Sequence, residues 1–122
     1  MNSGQSMEGN DMSMLIEICK YDRDWDDFYA KVLLNKIIST EAIYDKYLAP
    51  AIKELGIQYF RNNGEIRKCN QEEAVRELEL LIEWVENHVE GEDLEYLKPR
   101  LREVQKFIPE ALQEEDDILH IF

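Results

Sequence analysis

Five glutamates share one face of a predicted helix between Asn70 and Glu90. At 100° of rotation per residue they fall in one narrow sector, and a set of apolar residues falls in another. The glutamates, which we call the glutamate stripe, are Glu72, Glu79, Glu83, Glu86 and Glu90, and the apolar residues are Val75, Leu78, Ile82, Val85 and Val89. Carboxylates arranged in a row can pair with lysines, or with arginines through two parallel hydrogen bonds. The stripe is either a docking surface for a basic protein or a solvated helix face.

Leu80 and Trp84 form the second signal on this helix. On the same wheel both point away from the main apolar sector, and Glu73 and Glu77 flank them. A tryptophan with an aliphatic neighbour inside an acidic rim is typical of an interface anchor. The alternative is that the helix is buried on two sides. The predicted partner-binding residues are therefore the glutamate stripe together with Glu73, Glu77, Leu80 and Trp84.

The charge of the chain points to the same helix. The formal net charge is −13, and residues 71–98 carry ten acids and two bases, which is −8 of that total. Such a surface repels phosphate backbones and anionic membranes and attracts basic proteins. We therefore expect a basic protein partner, with no direct binding to nucleic acid or membrane.

Catalytic and cofactor motifs are absent from the sequence. His88 and His120 lack zinc-type spacing, and Cys19 and Cys69 form no CxxC pair. One acidic pattern, Glu83-x-x-Glu86 followed by Glu114-x-x-Asp117, resembles the metal-binding pattern of all-helical nucleoside triphosphate pyrophosphatases. That resemblance implies Mg²⁺ held between facing helices. In a chain with 27 acids among 122 residues, however, such spacings arise by chance.

The elements that position these residues are predicted to be helices. We expect a flexible tail at residues 1–10, followed by a single all-helical domain at residues 11–122. The predicted helices cover residues 12–21, 25–38, 40–62 with a bend or short break near Ala49 before Pro50, 70–90, 93–108 with a break or a short first turn before Pro99, and 109–115. Residues 57–69 have a rival interpretation as a hairpin around Asn63-Gly64. The apolar residues 118–122 are expected to return to the core.

The predicted fold class is thus all-α, an irregular bundle of five or six helices. No apolar run approaches the length of a membrane span, and the first ten residues lack the apolar segment of a secretory signal, so we expect a cytoplasmic protein with both thiols free and buried. The sequence does not indicate an oligomeric state.

Small, acidic chains without catalytic motifs resemble bacterial immunity proteins. The resemblance lies in size, charge and the absence of such motifs. It implies that the chain is not an enzyme but an inhibitor that covers the active site of a basic nuclease toxin. The alternative is a phage-type mimic of nucleic acid, an anti-restriction or anti-CRISPR protein, because stripe glutamates about 5–10 Å apart along the helix match the scale of phosphate spacing.

Overall fold

A computed structural model describes residues 15–21 and 32–122 of the chain. Its strands are β1 (Leu15–Tyr21), β2 (Val32–Thr40), β3 (Glu65–Arg67) and β4 (Ile118–Ile121). Its long helical segments are α1 (residues 41–55), α2 (Gln71–His88) and α3 (Gly91–Ala111), and a 3-10 turn at Lys68–Asn70 leads into α2. The all-helical prediction is wrong: this part of the chain is mixed α/β, with three helices and one four-stranded sheet. The predicted tail at residues 1–10 lies outside the described residues.

The strands form an antiparallel sheet in the order β2-β1-β4-β3. One face of the sheet packs into the core with the helices, through Ile16, Ile18, Ile66, Leu119 and Ile121, each at most 4% exposed. The strand register is consistent with this apolar face, since Ile18 lies opposite Ile121 and Ile66 lies opposite Leu119. Residues directly opposite each other point to the same side of a sheet, so this row is one continuous apolar surface.

The first two predicted helices are strands wherever the structure describes them. The helix expected at residues 12–21 is β1 from Leu15 onward, and the one expected at 25–38 is β2 from Val32 onward. In β1 the β-branched residues Ile16 and Ile18 are buried on either side of the less buried Glu17, which is the period-2 pattern of a strand. Over seven residues this pattern also fits helical spacing, and tertiary pairing decided between the two.

α1 is a continuous helix with a widened turn before its proline. Thr40 caps it as predicted, accepting a hydrogen bond from the Ile43 N–H at 3.2 Å. An α-helical turn at Glu41–Ile43 leads into a π-helical segment at Tyr44–Leu48 and then an α-helix at Ala49–Leu55. Pro50 has no N–H to donate and its ring crowds the carbonyl four residues back, so the chain widens where we expected a bend.

α1 ends at Leu55 because Gly56 adopts a left-handed conformation with φ of 70°. The predicted continuation to residue 62 is therefore wrong. The hairpin alternative is also wrong, because β3 pairs with β4 and not with residues 57–61. Residues 57–64 form an irregular connection in which Asn63 is left-handed, with φ of 66°, as the Asn-Gly pair predicted.

α2 and α3 form an antiparallel helix pair joined through Val89 and Glu90. The predicted core positions Leu97, Leu101, Val104 and Ile108 of α3 are fully buried. The predicted break at Pro99 and the separate helix at residues 109–115 are wrong, since α3 runs through both prolines to Ala111. Both prolines lie on the exposed side, where lengthened backbone hydrogen bonds let a helix curve around its core.

β4 brings the apolar residues 118–121 back into the centre of the sheet. Their return to the core was predicted, but their pairing between β1 and β3 was not. In the turn before β4, the Asp117 carboxylate accepts hydrogen bonds from the backbone N–H groups of Gln113 and Glu114, at 3.0 and 2.8 Å. A turn therefore occupies the last residues of the helix that the sequence predicted at residues 109–115.

Candidate acidic interface on α2

α2 separates a buried face from an exposed one along its 18 residues. The core face consists of Ala74, Leu78, Leu81, Ile82 and Val85, all fully buried. The predicted core residues Leu78, Ile82, Val85 and Val89 are therefore confirmed, and Val75 is half-buried. The glutamate stripe lies along the flank of α2 that approaches α3, and Leu80 lies towards the other edge of the exposed face.

The Glu79 carboxylate is hydrogen-bonded to side chains of α3. Its Oε1 accepts hydrogen bonds from Gln105 Nε2 and Arg102 Nη1, both at 3.0 Å. The pKa of Glu79 lies below its usual value. The larger cause is the hydrogen bond from Gln105, and the next is the hydrogen bond from Arg102. Gln105 also donates to the Val75 carbonyl at 3.3 Å, so the amide side chain bridges the two helices.

Glu86 is the second stripe residue with a partner on α3. Its Oε2 lies 2.6 Å from Lys98 Nζ, and both side chains are more than one-third exposed. Two of the five stripe carboxylates are thus neutralised by bases of the neighbouring helix, which the sequence did not reveal.

Glu72, Glu83 and Glu90 are exposed, and their carboxylates make no hydrogen bond or ion pair with any described residue. Glu72 and Glu83 are eleven positions apart on α2, which corresponds to about 16 Å along the axis. A groove of about 490 Å³ lies beside Glu72, between Val75 on α2 and Gln105 on α3. These three glutamates are the part of the stripe that the described residues leave unpaired.

Glu77 has a structural role that the sequence did not suggest. Its carboxylate accepts hydrogen bonds from three consecutive backbone N–H groups, those of Gln58 at 2.8 Å, Tyr59 at 3.1 Å and Phe60 at 3.0 Å. It therefore fixes the connection after α1 against α2. Glu73 is exposed and pairs with Arg76 one turn away at 3.0 Å.

Leu80 is 44% exposed, and it is one of the few large apolar side chains so open among the described residues. Trp84, one turn further along, is half-buried against the core. Its ring stacks on the His88 ring with centroids 4.2 Å apart, and its buried Nε1 has no hydrogen-bond acceptor in the described part of the chain. The pair thus supplies an apolar spot at one edge of the exposed face.

The four carboxylates of the possible magnesium site do not come together. The Asp117 carboxylate lies 3.2 Å from Lys20 Nζ, and Glu114 belongs to the same turn, after α3. Within residues 15–21 and 32–122, no group of three or more His, Cys, Asp or Glu side chains has the proximity to hold a metal ion. The structure therefore gives this alternative no support.

The sheet aligns three reactive residue types that the sequence keeps far apart. Cys19 on β1 lies opposite His120 on β4, and His120 Nδ1 lies 3.9 Å from the Glu65 carboxylate on β3. A thiol, an imidazole and a carboxylate in that order are the elements of nucleophilic catalysis. Cys19, however, is only 4% exposed, so its thiol is closed to a substrate. Both cysteines are free, as expected, but Cys69 is exposed and not buried.

No known protein family, curated protein or solved structure matches the chain. Among the residues that the structure describes, none of the helices has the length and apolar character needed to cross a membrane.

Proposed function

We propose that the chain is an acidic inhibitor of the immunity type, which docks the exposed face of α2 onto a basic protein and covers its active site. The observation that carries the proposal is the position of Leu80, a widely exposed leucine on a helix face that also carries the free carboxylate of Glu83 one turn away. An apolar contact inside a charged rim is the arrangement of a protein interface.

The free carboxylates would attract and orient the partner. Glu72, Glu83 and Glu90 have no competing cation among the described residues, so a partner's lysine or arginine need not displace an existing ion pair. A strongly acidic surface speeds the approach of a basic protein in a way that falls with ionic strength. Glu79 and Glu86 would contribute to the field while staying paired with Arg102 and Lys98.

A nucleic-acid mimic remains the second candidate, and the pairing pattern favours it less. A mimic needs a continuous row of open negative charges, whereas Arg102 and Lys98 interrupt this row. A compact set of charges around an apolar spot fits a protein surface better. The proposal includes a cytoplasmic location, where a reducing environment would keep the exposed thiol of Cys69 free.

The test compares two triple variants that change the charge equally. One carries Glu72→Lys, Glu83→Lys and Glu90→Lys, and the other changes three exposed glutamates elsewhere, Glu54, Glu103 and Glu115, to lysine. Each adds six charge units, so the net charge becomes −7 in both. Wild type and variants are used to capture partners from source-cell lysate at low and high ionic strength, and the association rate with the purified partner is then measured.

We expect a basic partner that is retained near stoichiometrically at low ionic strength and whose enzymatic activity the wild-type chain inhibits. The α2 triple variant should slow association at least tenfold, and the control triple variant should slow it much less, because it changes net charge but not the interface. Leu80→Asp should speed dissociation. Equal slowing by the two triple variants, or a partner that is not basic, would overturn the proposal.

A further inference from the structure

The two edges of the sheet are built differently. β3 has only three residues, and its exposed side chains Glu65 and Arg67 carry opposite charges. β2 has nine residues and no acid among them, in a chain with 27 acids. Short, charged edge strands resist pairing with other strands, whereas long apolar ones invite it. The exposed part of the β2 edge carries a single charge, that of Lys36, whereas two of the three residues of the β3 edge are charged.

Four consecutive residues of β2 are exposed, from Leu34 to Ile37. Leu34 is 44% exposed and Ile37 is 40% exposed. Successive side chains of a strand point to opposite faces, so exposed side chains lie on both faces of the sheet at this point. Among the described residues, β2 pairs only with β1.

The same four residues form the regular part of the strand. They lie opposite Lys20, Cys19, Ile18 and Glu17 of β1 without interruption, and a register shift follows at each end. The shifts at Leu33 and Ile38 limit straight pairing to residues 34–37. This stretch is long enough for a short ladder with one further strand.

The helices place the acidic surface away from this edge. α3 packs against β2, whereas α2 packs against α3 on one side and approaches β3. The helix that carries most of the stripe is therefore not the helix that packs against β2. At β2 a second copy of this chain would meet a strand that itself contains no acid, with the carboxylates of Glu17 and Glu103 beside it.

We propose that two copies of the chain pair antiparallel through their β2 edges, with Asn35 opposite Asn35 of the other copy. In a two-fold antiparallel pair, opposing residues must point to the same face, so the pair is centred on a residue and not between two residues. Centring on Lys36 would place two ammonium groups directly opposite each other, which is unfavourable. Centring on Asn35 instead places Lys36 opposite Leu34, where its aliphatic stem can cover the exposed leucine. This inference is independent of the proposed function.

Cysteine cross-linking tests the register directly. In a Cys19→Ala, Cys69→Ser background, which removes both the exposed thiol and the thiol opposite residue 35 on β1, the variants Asn35→Cys and Lys36→Cys are oxidised and dimer formation is followed over time. Opposed residues have Cα atoms about 4.5–5.5 Å apart, within reach of a disulfide. The two copies of residue 36 would be about 8 Å apart, beyond that reach.

We expect Asn35→Cys to cross-link at least tenfold faster than Lys36→Cys. Sedimentation of the wild type should show, with rising concentration, a species of twice the 14.5 kDa chain mass. In Asn35→Lys the two lysines at position 35 would face each other across the interface, although each could still contact Glu17 of its own chain. This variant should be monomeric, and its circular dichroism should match that of the wild type. A wild type that stays monomeric at all concentrations, or equal cross-linking of the two cysteine variants, would overturn the proposal.

Discussion

The Lys20 ammonium group lies 3.2 Å from the Asp117 carboxylate, with 16% and 4% of the two side chains exposed. Lys20 also donates a hydrogen bond to the Ala111 carbonyl at 2.9 Å, at the end of α3. One buried ion pair thus joins β1, the C-terminal end of α3 and the turn that leads into β4. A cation at the end of a helix is favourable because the helix dipole is negative there.

Asp117→Asn should lower the free energy of unfolding by roughly 2–4 kcal/mol, because it leaves a buried lysine without its counter-charge. The measurement is urea denaturation followed by circular dichroism. Glu115→Gln is the control, since Glu115 is exposed in the same turn and makes no hydrogen bond or ion pair with a described residue. Equal losses in the two variants would show that the buried pair does not stabilise the fold.

The same pair predicts a loss of stability in acid. Burial alone would raise the pKa of Asp117, but hydrogen bonds from the Glu114 amide and Lys20, with the Lys20 charge, hold that pKa below its usual value. A lowered folded-state pKa means that the contribution is complete above the unfolded value of about 3.9 and disappears as the pH falls through the folded value. The stability difference between wild type and Asp117→Asn should therefore be constant near neutral pH and shrink below about pH 4. A difference that does not change with pH would contradict this.

Glu77→Gln should destabilise the fold by about 1–3 kcal/mol, because an amide cannot accept all the hydrogen bonds that the carboxylate receives from the N–H groups of residues 58–60. Glu73→Gln, four residues away on the same helix, removes only an exposed ion pair and should cost less than about 0.5 kcal/mol. Chemical denaturation of both variants distinguishes the roles. Amide hydrogen exchange at residues 58–60 should accelerate only in Glu77→Gln.

Charge reversal should have unequal effects within the glutamate stripe. Glu79→Lys faces Arg102 and loses the Gln105 hydrogen bond, so it should lower the melting temperature. Glu83→Lys breaks no contact with a described residue and relieves repulsion from the neighbouring glutamates, so its melting temperature should stay the same or rise. Thermal melts at low ionic strength test the difference, and the opposite order would show that the pairing with α3 does not stabilise the protein.

Alanine substitutions at two glycines should differ in severity. At Gly56 an added Cβ meets open space, so only the left-handed conformation is strained and the loss is about 1–2 kcal/mol. At Gly64 the added atom would lie within 2.8 Å of the Arg61 carbonyl and closer still to that of Tyr59, so the backbone would have to move. Gly64→Ala should therefore be the more destabilising of the two by chemical denaturation.

The sequence was a good guide to α2 and α3, because long helical repeats leave little ambiguity. The buried residues Leu78, Val85, Leu101 and Ile108 were predicted from spacing alone. β1 and β2 were misassigned because short runs such as Leu15–Ile18 satisfy both periods, and the choice depends on β4, about a hundred residues away. No local pattern contains that information.

The acidic site was predicted as a set of residues but not as a set of contacts. Spacing placed Glu79 and Glu83 on one side of a helix, but it could not show that Arg102 faces one of them and not the other. The role of Glu77 was equally hidden, since its partners are backbone amides of an irregular segment. Whether a carboxylate of the stripe is paired depends on the side chains that the neighbouring helix places beside it.

The interior position of β4 in the sheet affects the order in which the strands can pair during synthesis. β1 and β3 both pair with β4, and the sheet order keeps them from pairing with each other. During translation, the ribosome releases β1, β2, β3 and all three helices before residues 118–121 emerge. Until then β1 can pair only with β2 and β3 has no partner strand, so Ile18 and Ile66 lack the strand that joins them. Of the described strands, the last to be synthesised is therefore the one that joins the rest of the sheet together.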